Sequence, residues 1–230
     1  MTFPPLVIGH RGASGYELEN TRAAFRTAVE LGADGVELDV HPTIDHALVV
    51  HHDPQLAGGE RIAGLTAAQV AQRPLASGET APLLEEALEI LGPLKVFVEV
   101  KALDPEDDTV LLRTLDAGPN PSGYAVHSFD HRAIARLGRL RPALPRGILL
   151  CSRPVDPVPL AEMAGATAVW QDHQWIDAEG VSRMHAHGLE VIAWTVADDA
   201  EVHRLYRTGV DGLCGNFPDR IRSAVEAGDE

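Results

Sequence analysis

Cysteine is close to absent from the 230-residue chain: Cys151 and Cys214 are the only two. Two thiols cannot build a Cys-rich zinc site, and each ends an apolar run (GILLC and DGLC), which suits small core residues better than a secretory disulfide framework. Positive charge is scarce as well, with 19 Lys and Arg against 34 Asp and Glu and a formal net charge of -15. That balance repels nucleic acid and anionic lipid surfaces at long range, so an anionic substrate must be held by local cations or a metal. No apolar run is long enough to span a bilayer, and the start, MTFPPLVIGHRG, lacks the basic-then-apolar pattern of a signal peptide. A cytoplasmic protein with neither a nucleic-acid partner nor integral membrane association is expected. No G-x-G-x-x-G follows the first apolar segment, which argues against a dinucleotide-binding fold.

What the chain does have is a repeated rhythm. Short apolar segments run at Leu6 to His10, Gly35 to Val40, Val96 to Lys101, Tyr124 to Phe129, Gly147 to Cys151, Thr167 to Asp172, Glu190 to Val196 and Asp211 to Asn216. Helix-like stretches separate them, the first with Asn20 or Thr21 as N-cap and Gly32 as stop. Strict alternation of strand and helix predicts a parallel sheet, and eight units at this length predict closure into a (β/α)₈ TIM barrel forming one domain over 1–230. One stretch breaks the rhythm. Leu48 to His52 reads as an extra strand folding back beside the second, and 54–82 as a small insertion over the barrel mouth.

The chemistry is concentrated at the strand ends, where such a barrel presents its catalytic groups. In GVELDV, a period of two puts Glu37 and Asp39 on the face opposite Val36, Leu38 and Val40, pointing into the barrel. VFVEVK does the same for Glu99, with Phe97 and Lys101 on its face. Crowded inward carboxylates need a cation or a proton, and three hard oxygen donors suit Mg²⁺ or Ca²⁺ better than a structural zinc site. The bland alternative pairs Glu99 with Lys101 and leaves Glu37 and Asp39 as hydrogen-bond acceptors. His10 and Arg11 end the first strand and His52 ends the hairpin. Two histidines beside a phosphate supply a general base and a general acid, and a guanidinium forks onto phosphate oxygens. His41 continues the acidic face, where contact with the metal or substrate is one reading and a hydrogen-bonding spacer the preferred one. The remaining histidines, including His173, His185, His187 and His203, are expected in helix-like or loop segments, at the surface or in packing.

The run VIGHRGASGYELENT from Val7 to Thr21, followed in order by GVELDV, LVVHHD and VEVK, resembles the signature of glycerophosphodiester phosphodiesterases, and GLEVIAWTVADDAEVHRLYRTGVDGL resembles their closing segment. The resemblance covers most of the chain. It implies that Glu37, Asp39 and Glu99 are metal ligands, that His10 and His52 are the acid/base pair, and that Arg11 and Lys101 contact phosphate. Glu19 and Asn20 match the signature's Glu-Asn pair and support the site from behind, while Phe129 and Trp194 fall where the family packs apolar groups around glycerol or the leaving group. Two positions depart from the pattern: Leu18 stands where the signature has Pro, and Gly215 with Asn216 where it has Thr-Asp. The implied activity is hydrolysis of a small-molecule glycerophosphodiester to glycerol phosphate and an alcohol. A lysophospholipase D-like enzyme and a non-catalytic phosphate-binding barrel are the competing readings. A helical HD-type phosphohydrolase is disfavoured because LVVHHD reads as a strand.

Overall fold

Apolar residues at every second position give each strand one face for an outer layer of helices and one for the barrel interior. In the structure, a computed structural model describing residues 4–228, this produces β1 (Leu6–His10), α1 (Arg22–Glu30), β2 (Gly35–Pro42), β3 (Leu48–Val50), α2 (Ala67–Val70) and α3 (Leu84–Leu91). The order continues with β4 (Lys95–Val100), α4 (Asp108–Ala117), β5 (Tyr124–Ser128), α5 (His131–Leu140), β6 (Arg146–Leu150) and α6 (Val158–Ala164). It ends with β7 (Ala168–Asp172), α7 (Ala178–Ala186), β8 (Glu190–Val196), α8 (Asp199–Thr208), β9 (Gly212–Gly215) and α9 (Pro218–Gly228). The sheet runs β1-β9-β8-β7-β6-β5-β4-β2, all parallel, and closes through β1 against β2. This is the expected (β/α)₈ barrel. The outermost positions of the single domain expected over 1–230 lie outside the described residues.

Two apolar layers hold it. Val7, Val36, Leu38, Val40, Val96, Val98 and Val126 face outward and pack with helix residues such as Phe25, Leu84, Leu88 and Ile134 in one buried cluster. Each such fully buried side chain contributes about 1.5–3 kcal/mol. Inside the barrel, Ile8, Leu149, Trp170, Ile192 and Cys214, with Leu6 and Phe97 against them, form an apolar floor. Gly147 makes room for it, since a Cβ there would lie 2.7 Å from Trp170 Cδ1. The polar ends of β1, β2 and β4 stand above this floor, which is what concentrates the chemistry at one mouth.

The extra strand β3 pairs antiparallel with β2, Val40 opposite Val50. It ends at Val50, so His51 and His52 lie beyond the strand that was expected to reach His52. The segment that follows is ordered around its own apolar cluster of Leu56, Ile62, Leu65, Val70 and Ala81 beneath Val49. It contains a capping box in which the Thr66 side chain accepts from Gln69 N and the Gln69 side chain accepts from Thr66 N. Cys214 is buried in the barrel floor, but Cys151 is exposed, because β6 stops one residue before it. Thr21, not Asn20, caps α1: its hydroxyl accepts from Ala24 N at 3.2 Å.

Candidate active site

The turn after β1 is built by local conformation. Arg11 adopts φ +56° and Gly12 φ +85°; a Cβ on Gly12 would lie 2.7 Å from the Ala24 backbone, so only glycine fits against α1 there. The left-handed turn at Arg11 aims its backbone N–H at Glu37 Oε2, 3.1 Å away, and lets its carbonyl accept from Asn20 N at 3.0 Å. Asn20, also left-handed at φ +56°, is buried and donates its side-chain N–H to Asp39 Oδ2 at 2.7 Å. Glu19 grips the Arg11 guanidinium with both oxygens at 2.9 Å. The Glu19-Asn20 pair therefore fixes the Arg11 guanidinium and the Asp39 carboxylate.

Sheet register brings the rest together. His10 is level with Glu37, Asp39 with Glu99, and Glu99 with His127. Arg11 Nε lies 3.3 Å from Asp39 Oδ2, and Lys101 Nζ lies 3.1 Å from Asp39 Oδ1 and 2.7 Å from Glu99 Oε1. The bland pairing of Glu99 with Lys101 is thus present in the structure. It does not exhaust the charge: Glu37, buried, has no Lys or Arg side chain within ion-pair distance among the described residues. Three buried carboxylates face two cations, and the groups respond accordingly. Burial, then Asp39 and Glu99, push Glu37 well above the usual carboxylate range. Burial, then Asp39, push Glu99 up to about 7 against the pull of Lys101. Burial would raise Asp39 too, but Lys101 and Arg11 outweigh it and hold Asp39 below its ordinary value. A dication fits this excess negative charge, and the ligand atoms of Glu37, Glu99 and His127 all lie within 4.8 Å of one another.

The two expected histidines meet at the same place. His10, Arg11, Glu37, His52, Glu99, Lys101, Phe129 and Trp194 line one cavity of about 250 Å³, floored by Leu149, Trp170 and Cys214. His10 Nδ1 lies 2.8 Å from Asn216 Oδ1, and burial, then Arg11, hold its pKa down at about 4 although Asn216 acts the other way. His52 Nδ1 lies 2.8 Å from Asp53 Oδ1. His51 is not part of the cavity lining; its backbone N–H donates to Asp39 O at 3.0 Å. Phe129, 46% exposed, meets Trp194 edge to face with centroids 5.7 Å apart, forming the apolar side of the mouth. Asp39, Glu19 and Asn20 stand behind the cavity lining. His41 hydrogen-bonds the His52 carbonyl at 3.0 Å, the spacer role expected of it.

Two residues at the site escaped the sequence reading. His127, grouped by default with surface and packing histidines, is a buried strand residue on β5 whose ring stacks on Trp170 at 4.1 Å. Its signal was the period of two in YAVHSF, which puts His127 on the face of Phe129. Asn216, seen only as a departure from the pattern, turns out to hold His10. The other histidines behave as expected: His173 pairs with Glu201, His185 with Asp211 and His187 with Glu162, and His203 bonds the Ala224 carbonyl.

Known proteins share this fold and family. The model of the glycerophosphoryl diester phosphodiesterase family matches residues 10–220. A glycerophosphodiester phosphodiesterase of Caldanaerobacter subterraneus subsp. tengcongensis is 30% identical, over 97% of this chain and 98% of that protein. Among solved structures, an Oleispira antarctica phosphodiesterase in complex with the product sn-glycerol-3-phosphate is 28% identical with a TM-score of 0.90, covering 97% of this chain and 98% of that one. A glycerophosphodiester phosphodiesterase from Parabacteroides distasonis shares the fold at 23% identity, with a TM-score of 0.89 and full coverage of both chains. With its barrel, its acidic mouth and a family match running from His10 to Arg220, the chain belongs to the glycerophosphoryl diester phosphodiesterase family.

Proposed function

We propose that this mouth hydrolyses a glycerophosphodiester to glycerol phosphate and an alcohol, with a divalent ion at Glu37, Asp39 and Glu99, His10 as general base and His52 as general acid. Family membership carries the coarser statement, an enzyme acting on glycerophosphodiesters. The observation that carries the finer one is the matched anchoring of the two histidines. Each has Nδ1 held by an oxygen 2.8 Å away, which leaves Nε2 of both for the substrate in one cavity. The Asn216 amide oxygen holds His10 through Nδ1, which turns Nε2 toward the substrate, while burial and then Arg11 keep the ring neutral and able to take a proton. The Asp53 carboxylate holds His52 through Nδ1, which turns its Nε2 toward the leaving alcohol, the position a proton donor needs.

The oxygen donors fit Mg²⁺ or Ca²⁺. Glu37 and Glu99 already converge, while Asp39 shares the Lys101 ammonium with Glu99. Such an ion, when bound, neutralises phosphate charge and polarises its oxygens. Lys101 and Arg11 would bind the remaining phosphate oxygens, and Phe129 with Trp194 would shelter the carbon skeleton of glycerol or the alcohol. By analogy with the Oleispira structure, sn-glycerol-3-phosphate is the proposed product. The same reading takes the chain as one domain with 54–82 inserted at the mouth, supported by Val50 N–H donating to Pro82 O at 2.8 Å and by His52 lining the cavity.

The test is a hydrolysis panel of glycerophosphocholine, glycerophosphoethanolamine, glycerophosphoglycerol and a lysophospholipid, each with Mg²⁺, Ca²⁺ or chelator. Ion-dependent release of glycerol phosphate from the water-soluble diesters is expected. Preference for the lysophospholipid would shift the substrate class, and release of a phosphorylated head group would overturn the proposed bond cleavage.

A further inference from the structure

His127 has a use that neither packing nor the proposed acid/base chemistry accounts for. It is 1% exposed, and its ring lies parallel to Trp170, with 4° between the planes, so its orientation is fixed by the barrel floor. Nε2 is 3.9 Å from Glu37 Oε1, and Nδ1 has no hydrogen-bond partner among the described residues. The nitrogen that faces the carboxylates, Nε2, is too far from Glu37 for a hydrogen bond, so it is left for an occupant of the space between them, and an apolar ring would stack on Trp170 equally well. Donors bonded to a common ion at about 2.0–2.2 Å stand about 3–4.4 Å apart, and the ligand atoms of His127, Glu37 and Glu99 lie within 4.8 Å of one another.

We infer that His127 is an additional, nitrogen donor to the ion of this centre, giving it an affinity for imidazole-seeking first-row dications such as Co²⁺ and Ni²⁺ that the carboxylates alone would not. The inference rests on the metal reading above. Imidazole binds transition dications well, whereas Mg²⁺ and Ca²⁺ favour oxygen donors. Loss of His127 should therefore separate the two classes of ion. A residue serving only to pack Trp170 would affect both alike.

The experiment loads metal-free protein with Mn²⁺ and records pulsed electron paramagnetic resonance for the nitrogen coupling of a directly bound imidazole. Wild type should show it, His10→Asn should keep it, and His127→Gln should lose it. Titration calorimetry should show Co²⁺ affinity falling by about tenfold or more in His127→Gln, the loss typical even for groups that merely orient a ligand, while Mg²⁺ affinity stays within about twofold. Tight Mn²⁺ binding that depends on Glu37 and Glu99, but without nitrogen coupling in wild type, overturns the role of His127 and leaves the metal reading standing. Mn²⁺ binding that is absent, or indifferent to Glu37→Gln and Glu99→Gln, overturns both. Equal loss of Co²⁺ and Mg²⁺ affinity in His127→Gln overturns the nitrogen-donor role in favour of packing.

Discussion

Replacing one side-chain amide by a carboxylate, Asn216→Asp, tests which histidine is the base. The new group keeps the shape of the old one and puts an ionised acceptor where Asn216 Oδ1 now stands, 2.8 Å from His10 Nδ1. An opposite charge so close raises a histidine's pKa by about 1–3 pH units, or about 1.4–4 kcal/mol in favour of the imidazolium. Burial first and Arg11 second hold His10 at about 4 in the wild type, so the variant should titrate at about 5–7. A general base must be neutral to act. As pH rises through the His10 pKa, the ring loses its proton and kcat/KM climbs, and this acid limb should move to higher pH in Asn216→Asp. At about pH 5 a variant pKa of about 6 leaves roughly one ring in ten neutral, giving about a tenfold loss, while above about pH 8 the two proteins should converge. The assay is kcat/KM for glycerophosphocholine across that range at fixed ion concentration. An unmoved acid limb would refute the assignment. Movement of the alkaline limb instead would make His10 the acid.

Exhaustive chelation should abolish turnover and readdition of Mg²⁺ or Ca²⁺ should restore it; full activity in chelator would remove the ion from the mechanism. His52→Asn should lower kcat by about 10²–10⁴ and recover on a substrate with a much better leaving group, because an activated alcohol needs no acid; failure to recover would reassign His52. His51→Asn should retain most activity, since the ring lies outside the cavity lining, and a dead variant would place the wrong histidine at the phosphate. Burial, then Asp39, push the Glu99 pKa up to about 7 in the folded chain from its ordinary 4.5. Its contribution to apo stability is therefore complete below 4.5 and lost as pH rises through 7, on a scale of about 3 kcal/mol. Glu99→Gln, which cannot ionise, should raise the apo Tm above wild type at about pH 8 and not at about pH 4; a difference independent of pH would contradict the repulsion argument.

The carboxylates of the site were legible from geometry within a single strand, whereas Glu19, Asn20 and the choice of His52 over His51 came from the family resemblance. Glu37 and Asp39 had to point the same way because β2 alternates, and Glu99 had to join Phe97 on the inner face of β4 for the same reason. His127 obeyed that rule too. A lone histidine in an apolar strand says nothing about chemistry until its neighbour is known, and that neighbour, Glu99, comes from register across 28 residues of chain. Asn216 is further removed still, reaching His10 across 206 residues because β9 lies beside β1 on closure of the barrel. Alternation likewise placed His51 and His52 on opposite faces of a strand, yet the ladder ends at Val50, and what selects His52 is the turn into Asp53, where the carboxylate meets its ring. The pattern of failure is thus itself physical. Residues that carry the acidic charge could be read from their own strand, whereas Asn216 on His10 and His127 beside Glu37 meet their neighbours across strand pairs and become visible only once the barrel closes.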